Sequence, residues 1–253
     1  MNDLTGKSVL ITGASRGIGA ATAREFAALG AKVLLCARSE AQIAQVAQEI
    51  RDAGGEALHL SVDVADFAQV QQAVNLAVAE FGGLDILINN AGILEPVERL
   101  AEATVEAWSK VIDINVKGVF HGIRAALPVM RTAGGGTIIS IGSGAATSAL
   151  EGWSHYSASK AAVHHLNRVL HAEEADNGIR ALVLSPGTVA TDMQVIIKKS
   201  GINAVSHLNW EDHIPPEWPA KTLVWMASSD ADTYLGEVIS LRDPDIRKKI
   251  GLA

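Results

Sequence analysis

The chain has 253 residues, 48% of them hydrophobic and 4% aromatic, which is enough for one sizeable domain with a full core. Its net charge of −7 argues against a nucleic-acid footprint, and the pairs Lys198-Lys199 and Lys248-Lys249 read as solvated surface. A lone cysteine, Cys36, excludes an intrachain disulfide framework and is expected to be a buried, inert thiol. The amino terminus lacks the basic start and apolar stretch of a signal peptide, and no apolar run approaches transmembrane length. These features lead to the expectation of a cytoplasmic protein with no membrane or nucleic-acid partner. No His/Cys/Asp group has metal-site spacing, so no metal is expected.

The first strand is expected over Ser8 to Thr12, a short β-branched run suited to burial on both faces. Thr12-Gly13-Ala14-Ser15-Arg16-Gly17-Ile18-Gly19 follows, then a helical stretch from Ala20 to Leu29 closed by Gly30. A glycine-rich turn between a strand and a helix N-terminus suits a pyrophosphate. Glycines let the backbone approach, and exposed N–H groups with the helix dipole favour negative charge. The spacing is Gly-x-x-x-Gly-x-Gly. The second strand, Lys32 to Ala37, ends without the acidic residue that would hold an NAD ribose, and Arg38 follows at once. Arg38 and Arg16 together suit a 2′-phosphate, so NADP(H) is expected over NAD(H), with NAD(H) possible.

A helix from Glu40 to Ala53 precedes a strand from Ala57 to Val62 that ends at Asp63. Asp63 can accept from an adenine amino group or cap the helix that begins near Asp66. Strand four, Leu84 to Ile88, leads into Asn89-Asn90-Ala91-Gly92, small and polar enough to pack against a cofactor. Pro96 to Lys117 reads as loop then helix, with Asn115 in an apolar segment where its amide must be hydrogen-bonded. A long helix continues to about Thr132, and strand five covers Thr137 to Ile141, with Ser143 just beyond. The next helix, about Ser154 to Ala175, carries Tyr156 and Lys160 one turn apart on one face. A cation beside a phenol pulls its pKa down toward useful proton chemistry. Strand six, Ile179 to Leu184, closes with Ser185-Pro186-Gly187. Thr188 to Pro219 is expected to be an irregular flap over the pocket. A helix near Ala220 to Ser228 and a strand near Glu237 to Leu241 complete the chain. Seven strands alternating with helices give an α/β fold: a doubly wound parallel seven-stranded sheet, a Rossmann fold, in a single domain spanning 1–253.

These residues, in this order and spacing, resemble the short-chain dehydrogenase/reductase family over nearly the whole length. Thr12 to Gly19 matches its glycine turn, Asn89 to Gly92 its Asn-Asn-Ala-Gly element and Asn115 its helix asparagine. Ser143, Tyr156 and Lys160 match its active site, and Pro186, Gly187, Val189 and Thr191 its nicotinamide segment. The resemblance implies a catalytic set of Asn115, Ser143, Tyr156 and Lys160. Tyr156 would exchange a proton with the substrate oxygen, and Ser143 would hydrogen-bond that oxygen. Lys160 would lower the tyrosine pKa and hold the nicotinamide ribose, while Asn115 would hold a water in a proton relay. It further implies cofactor contacts from Gly13, Ser15, Arg16, Gly17, Ile18, Gly19, Arg38, Asp63, Val64, Asn90, Ala91, Gly92, Pro186, Gly187, Val189 and Thr191, besides Tyr156 and Lys160. A homodimer or homotetramer through the helices near Asp113 to Thr132 and Ser154 to Ala175 is implied as well.

Three features depart from the family pattern. Leu182 stands where many members carry asparagine. The carboxyl end, Leu235 to Leu241 and then Arg242-Asp243-Pro244-Asp245-Ile246, lacks the usual Asp-Gly-Gly turn, which puts a standard tetramer in doubt. Arg131 has no basic counterpart at Glu173-Glu174-Ala175-Asp176, which disfavours an acidic carrier protein. The expected activity is hydride transfer between NADP(H) and a carbonyl or secondary alcohol. The substrate, a small molecule, is expected to be a hydrophobic ketone or its alcohol. Ser143, Trp153, Tyr156 and Met193 would touch it, with apolar flap residues Val195, Ile196, Ile197, Leu208 and Trp210 as pocket wall or core. His155 is expected to be exposed, and His164 and His165 to lie mid-helix without a role. The alternatives are a 3-oxoacyl-carrier-protein reductase, an NAD-dependent alcohol dehydrogenase, a non-catalytic NADP(H)-binding sensor, and a methyltransferase on a similar sheet.

Overall fold

Runs of aliphatic and β-branched residues pair in parallel into one seven-stranded sheet, in a computed structural model that describes residues 3–252. In chain order the elements are β1 (Ser8–Thr12), α1 (Gly17–Ala28), β2 (Lys32–Ala37), α2 (Glu40–Asp52), β3 (Glu56–Ser61), α3 (Phe67–Phe81) and β4 (Ile86–Asn89). They continue with α4 (Val105–Ile112), a π-helical turn (Asp113–Lys117), α5 (Gly118–Thr132), β5 (Gly136–Ile141), α6 (Ser154–Glu174) and β6 (Ile179–Ser185). The last are α7 (Asp192–Ser200), α8 (Glu217–Met226), β7 (Val238–Ser240) and α9 (Pro244–Lys249), with short 3-10 turns between. The strand order is β3-β2-β1-β4-β5-β6-β7.

Period-two alternation divides the buried side chains between two faces. Val9 and Ile11 point with Val33, Leu35, Ile88 and Leu184 toward Phe26 of α1, Ile43 of α2 and Leu223 of α8. Leu10 points with Leu34, Leu87 and Ile138 toward Val74 of α3, Ile123 and Met130 of α5 and Val163 of α6. Helices thus cover both faces, the single Rossmann-like domain expected for an all-parallel sheet. Cys36 lies fully buried in the second layer, and burial pushes its thiol up to about 12, which makes it inert.

The connection order reverses between β1 and β4, so their carboxyl ends bound the crevice where such sheets hold ligands. Over these ends sits a third, smaller apolar cluster of Leu94, Ala145, Trp153, Tyr156 and Ile197.

The structure departs from the sequence expectations in several places. The stretch 188–219 is not irregular: it contains α7, whose Gln194 and Ile197 are buried, and α8 begins already at Glu217. The π turn, closed by Gly118 N–H onto the Asp113 carbonyl, interrupts the expected long helix and holds Asn115. α9 was not expected, although Asp243 caps it by accepting from Asp245 N–H and Pro244 opens it. Strand β4 starts two residues late, because pairing with β1 begins at Val9 and Ile86. Asp66 rather than Asp63 caps α3, accepting from the N–H groups of Ala68 and Gln69. Among the described residues, no helix is long and apolar enough to cross a membrane.

Candidate active site

The glycine turn is held in place by the strand beside it. Thr12 Oγ1 accepts from the N–H groups of Asn90 (3.0 Å) and Ala91 (3.1 Å). The Asn90 amide donates back to the carbonyls of Thr12 (2.9 Å) and Gly13 (3.0 Å). The resulting fit leaves no space for side chains. Gly13 has φ +65°, and a Cβ there would lie 2.8 Å from Ala91 Cα. A Cβ on Gly19 would lie 2.3 Å from the Gly13 carbonyl oxygen and 2.6 Å from Asn90 Nδ2. Gly19→Ala is therefore expected to destabilise the protein by roughly 1–3 kcal/mol, read as a lower melting temperature. Gly83→Ala, with nothing within 4 Å of its added methyl, is the control. Equal melting of the two variants would contradict this packing.

Helix α1 starts behind the turn with no side-chain cap and no acid in its first turn. Its first N–H groups are therefore left for an external acceptor, as a phosphate requires. In front lies a cleft of about 550 Å³. Its walls carry Gly13, Ser15, Arg16, Gly17, Ile18, Arg38, Asp63, Val64, Asn90, Ala91 and Gly92 at one side. Ser143, Tyr156, Lys160, Pro186, Gly187, Val189, Thr191 and Met193 stand at the other. A cleft that runs from uncapped helix N–H groups and glycine backbone to a buried Tyr–Lys pair fits an elongated, anionic dinucleotide.

The two arginines differ. Arg16 reaches across the mouth of the cleft to α7, where its guanidinium lies 2.9 Å from the Asp192 carboxylate, both side chains well exposed. Arg38 has no ion pair among the described residues. The expectation that both face one phosphate is thus altered: Arg16 is already engaged.

At the other end of the cleft, Tyr156 and Lys160 sit one turn apart on α6 and are both buried. Lys160 Nζ donates to the Ile141 carbonyl at 2.7 Å and lies 5.5 Å from the centre of the Tyr156 ring. Burial pulls the ammonium down to about 8. The Tyr156 phenol is raised, not lowered: burial dominates, and the Ser143 hydroxyl pulls the other way. The expected depression by Lys160 is overturned in this state because the phenol is desolvated while the ammonium is directed at Ile141.

Asn115, fully buried in the π turn, does not line the cleft. Its amide accepts from Ile93 N–H and donates to the Ile93 carbonyl, each at 2.8 Å, and also donates to Ser159 Oγ at 3.1 Å. It ties the segment after β4 to α6. A Cβ on Gly92 would lie 3.3 Å from Asn115 Oδ1 and 3.6 Å from Lys160 Nζ, so that backbone passes directly over the pair.

Gly19 lies behind the turn, packed rather than lining the cleft. Trp153 also does not line it. Its indole is buried with Leu94 and Ile197 and meets Tyr156 edge-on, ring centres 5.5 Å apart. It therefore buttresses the phenol instead of facing a ligand. His155 is fully buried rather than exposed: its Nε2–H donates to the Leu94 carbonyl at 2.7 Å, fixing the same wall. Gln194 and Pro216 also line the cleft, although no local pattern marks them. Of the flap residues, Ile197 is core, Ile196 is cleft wall, and Val195 and Trp210 are exposed. Among the described residues no three potential metal ligands cluster.

With the geometry in view, the known proteins it resembles agree. A family model described as short chain dehydrogenase matches residues 7–200. The 2,5-dichloro-2,5-cyclohexadiene-1,4-diol dehydrogenase LinX of Sphingobium indicum is 40% identical over 190 residues, covering 75% of this chain and 76% of that protein. The 3beta-hydroxysteroid dehydrogenase 1 of Eggerthella lenta is 35% identical over 249 residues, covering 94% of this chain and 93% of that protein. A short-chain type dehydrogenase/reductase of known structure from Mycobacterium marinum superposes with a TM-score of 0.86 at 35% identity, covering 94% of each chain. The glycine turn locked onto β4, the uncapped α1 and the buried Tyr–Lys pair are thus the fittings of an oxidoreductase, and this chain belongs to the short-chain dehydrogenase/reductase family.

Proposed function

We propose that this protein transfers a hydride between NADP(H) and a ring-borne secondary alcohol or its ketone, in an apolar setting. One observation carries the reading: Ser143, Tyr156 and Lys160 share a single cleft with the glycine turn and Arg38. The bound nicotinamide supplies or accepts the hydride. Tyr156 gives its proton to the carbonyl oxygen during reduction, or takes one from the alcohol during oxidation. The Ser143 hydroxyl holds that oxygen where negative charge develops. Lys160, at about 8 before any ligand arrives, sits one helical turn from the phenol and keeps positive charge near it. Asn115 secures the segment that passes over Lys160.

The apolar side chains on the cleft wall, Ile93, Val189, Met193 and Ile196, support a hydrophobic substrate. Two relatives named for ring alcohols, a cyclohexadienediol and a 3β-hydroxysteroid, point the same way. A carrier-protein substrate fits less well. Arg131 forks onto the buried Glu174, with Nε–Oε2 at 2.7 Å, so the one basic residue at that helix end is neutralised. Exposed Phe120 on α5 and Val169 on α6 support a homo-oligomer through these helices. Sedimentation of a monomer at micromolar concentration would count against it.

Arg38 supports the proposed preference for NADP(H). Its lack of an ion pair among the described residues, and a preceding strand that ends in Ala37 rather than an acid, support a contact with a 2′-phosphate. Arg38→Ala should weaken NADPH binding by roughly 10-fold to 100-fold, the loss of a charge-assisted pair, with little change for NADH. Arg16→Ala should have the smaller effect, because Asp192 holds that guanidinium. Equal losses for NADPH and NADH in Arg38→Ala would reject the preference. A screen of cyclic secondary alcohols and ketones with each cofactor tests the activity, and turnover of none of them would reject it.

A further inference from the structure

His164 is a polar side chain in a place where helix α6 needs only an apolar one. It lies one turn beyond Lys160 and is almost fully buried against the ends of β5 and β6. The ring is not merely stored there. The Ser143 N–H donates to His164 Nε2 at 3.3 Å. Gly142 is shaped around the same atom: a Cβ on it would come within 2.3 Å of Nε2 and 2.6 Å of Val183 Cγ1. A main-chain N–H at the end of β5 is thus received by an imidazole nitrogen, and the neighbouring residue has given up its side chain to admit the ring.

We infer that His164 is a positioning residue for Ser143, holding the backbone that aims the serine hydroxyl at Tyr156. The inference rests on the dehydrogenase reading above, which gives Ser143 its task. For Nε2 to accept, it must carry no proton, so the ring must be neutral with its hydrogen on Nδ1. Its surroundings enforce that state. Burial, then Lys160 and Arg168 on the same helix, pull the imidazole down to about 4, while the facing Gly142, just past β5, and Val183 of β6 carry no charge. The Ser143 side chain turns away from the imidazole and accepts from Ala145 N–H at 3.1 Å, so the main-chain bond to His164 and the side-chain bond to Ala145 fix the serine from two directions.

Two measurements on the free protein decide the matter. A heteronuclear NMR spectrum of the imidazoles near neutral pH should show His164 Nε2 unprotonated, and the Ser143 amide should exchange slowly. His164→Leu keeps bulk but removes the acceptor, and should speed that exchange by about 10-fold, the loss of one buried hydrogen bond. His164→Gln, which can return an oxygen to the Nε2 position, should restore it. The second measurement uses the fact that the chain has only two tyrosines, Tyr156 and Tyr234. In a Tyr234→Phe background the phenolate absorbance reports Tyr156 alone. Ser143 lowers the Tyr156 pKa, so His164→Leu should move this titration to higher pH, and His164→Gln should return it. A protonated Nε2 in the parent, or a Tyr156 titration unmoved by His164→Leu, would overturn the assignment. Should His164→Leu fail to fold, the parent tautomer and His164→Gln still decide. Neither measurement uses cofactor or substrate, so a failure of the dehydrogenase reading, seen as no binding of NADPH or NADH, is recognised separately.

Discussion

Tyr156→Phe is expected to lower kcat by about 10²-fold to 10⁴-fold, the range for losing a general acid or base. NADPH affinity should stay near the parent value, because in the proposed reaction the phenol would meet the reacting oxygen rather than the phosphates. The protein should remain folded: the ring still fills its place against Trp153, edge-on at 5.5 Å between centres. The measurement is steady-state turnover of a ring alcohol or ketone, beside a fluorescence titration with NADPH. Full turnover in this variant would remove Tyr156 from the chemistry.

Lys160→Met is expected to separate stability from activity. Burial lowers this ammonium from its ordinary 10.5 to about 8, so near neutral pH the fold carries a buried charge. That difference corresponds to a penalty of roughly 3 kcal/mol. The sign is fixed by proton counts. Between about 8 and 10.5 the unfolded chain holds the proton and the folded chain does not, so stability rises with pH through that window. Below it the whole penalty is present. Methionine removes the charge and keeps the length, at the cost of the 2.7 Å bond to the Ile141 carbonyl. A net gain of about 1–2 kcal/mol near neutral pH should follow, which raises the melting temperature by a few degrees. The gain should vanish in alkaline solution, where the parent lysine is neutral in both states. Turnover should meanwhile fall by about 10²-fold or more. Thermal melts across pH check the first part. A Lys160→Met protein less stable than the parent at neutral pH would show that the Ile141 bond outweighs the buried charge.

What could be read from the residues was what lies close together in the chain. The strand–turn–helix around Gly13 to Gly19 carries its own meaning, because small residues, turn and helix start are consecutive. Tyr156 and Lys160 share a face through helical spacing alone. The parallel sheet followed from apolar runs alternating with helices. Other features depend on neighbours far along the chain. α7 is stabilised by Ile197 entering a cluster with Leu94, Ala145, Trp153 and Tyr156, none of them near 188–219. His155 looked like a surface residue beside the tyrosine, yet it bonds Leu94, 61 positions earlier. The engagement of Arg16 by Asp192, and of the Ser143 backbone by His164, likewise joins separate elements that spacing does not connect. The direction of the Tyr156 shift is hidden for a related reason: a local pattern shows the nearby cation but not the burial that outweighs it. α9 is the exception, since Asp243-Pro244 is a local cap-and-start signal within the chain itself.

The central claim is that one cleft holds a nicotinamide dinucleotide from the glycine turn to Tyr156. A paired fluorescence titration of the purified protein with NADPH and NADH tests it most directly. Saturable binding of both, with NADPH the tighter, is the predicted result. Binding of neither would contradict the account from the glycine turn onward, and tighter binding of NADH would contradict the role given to Arg38.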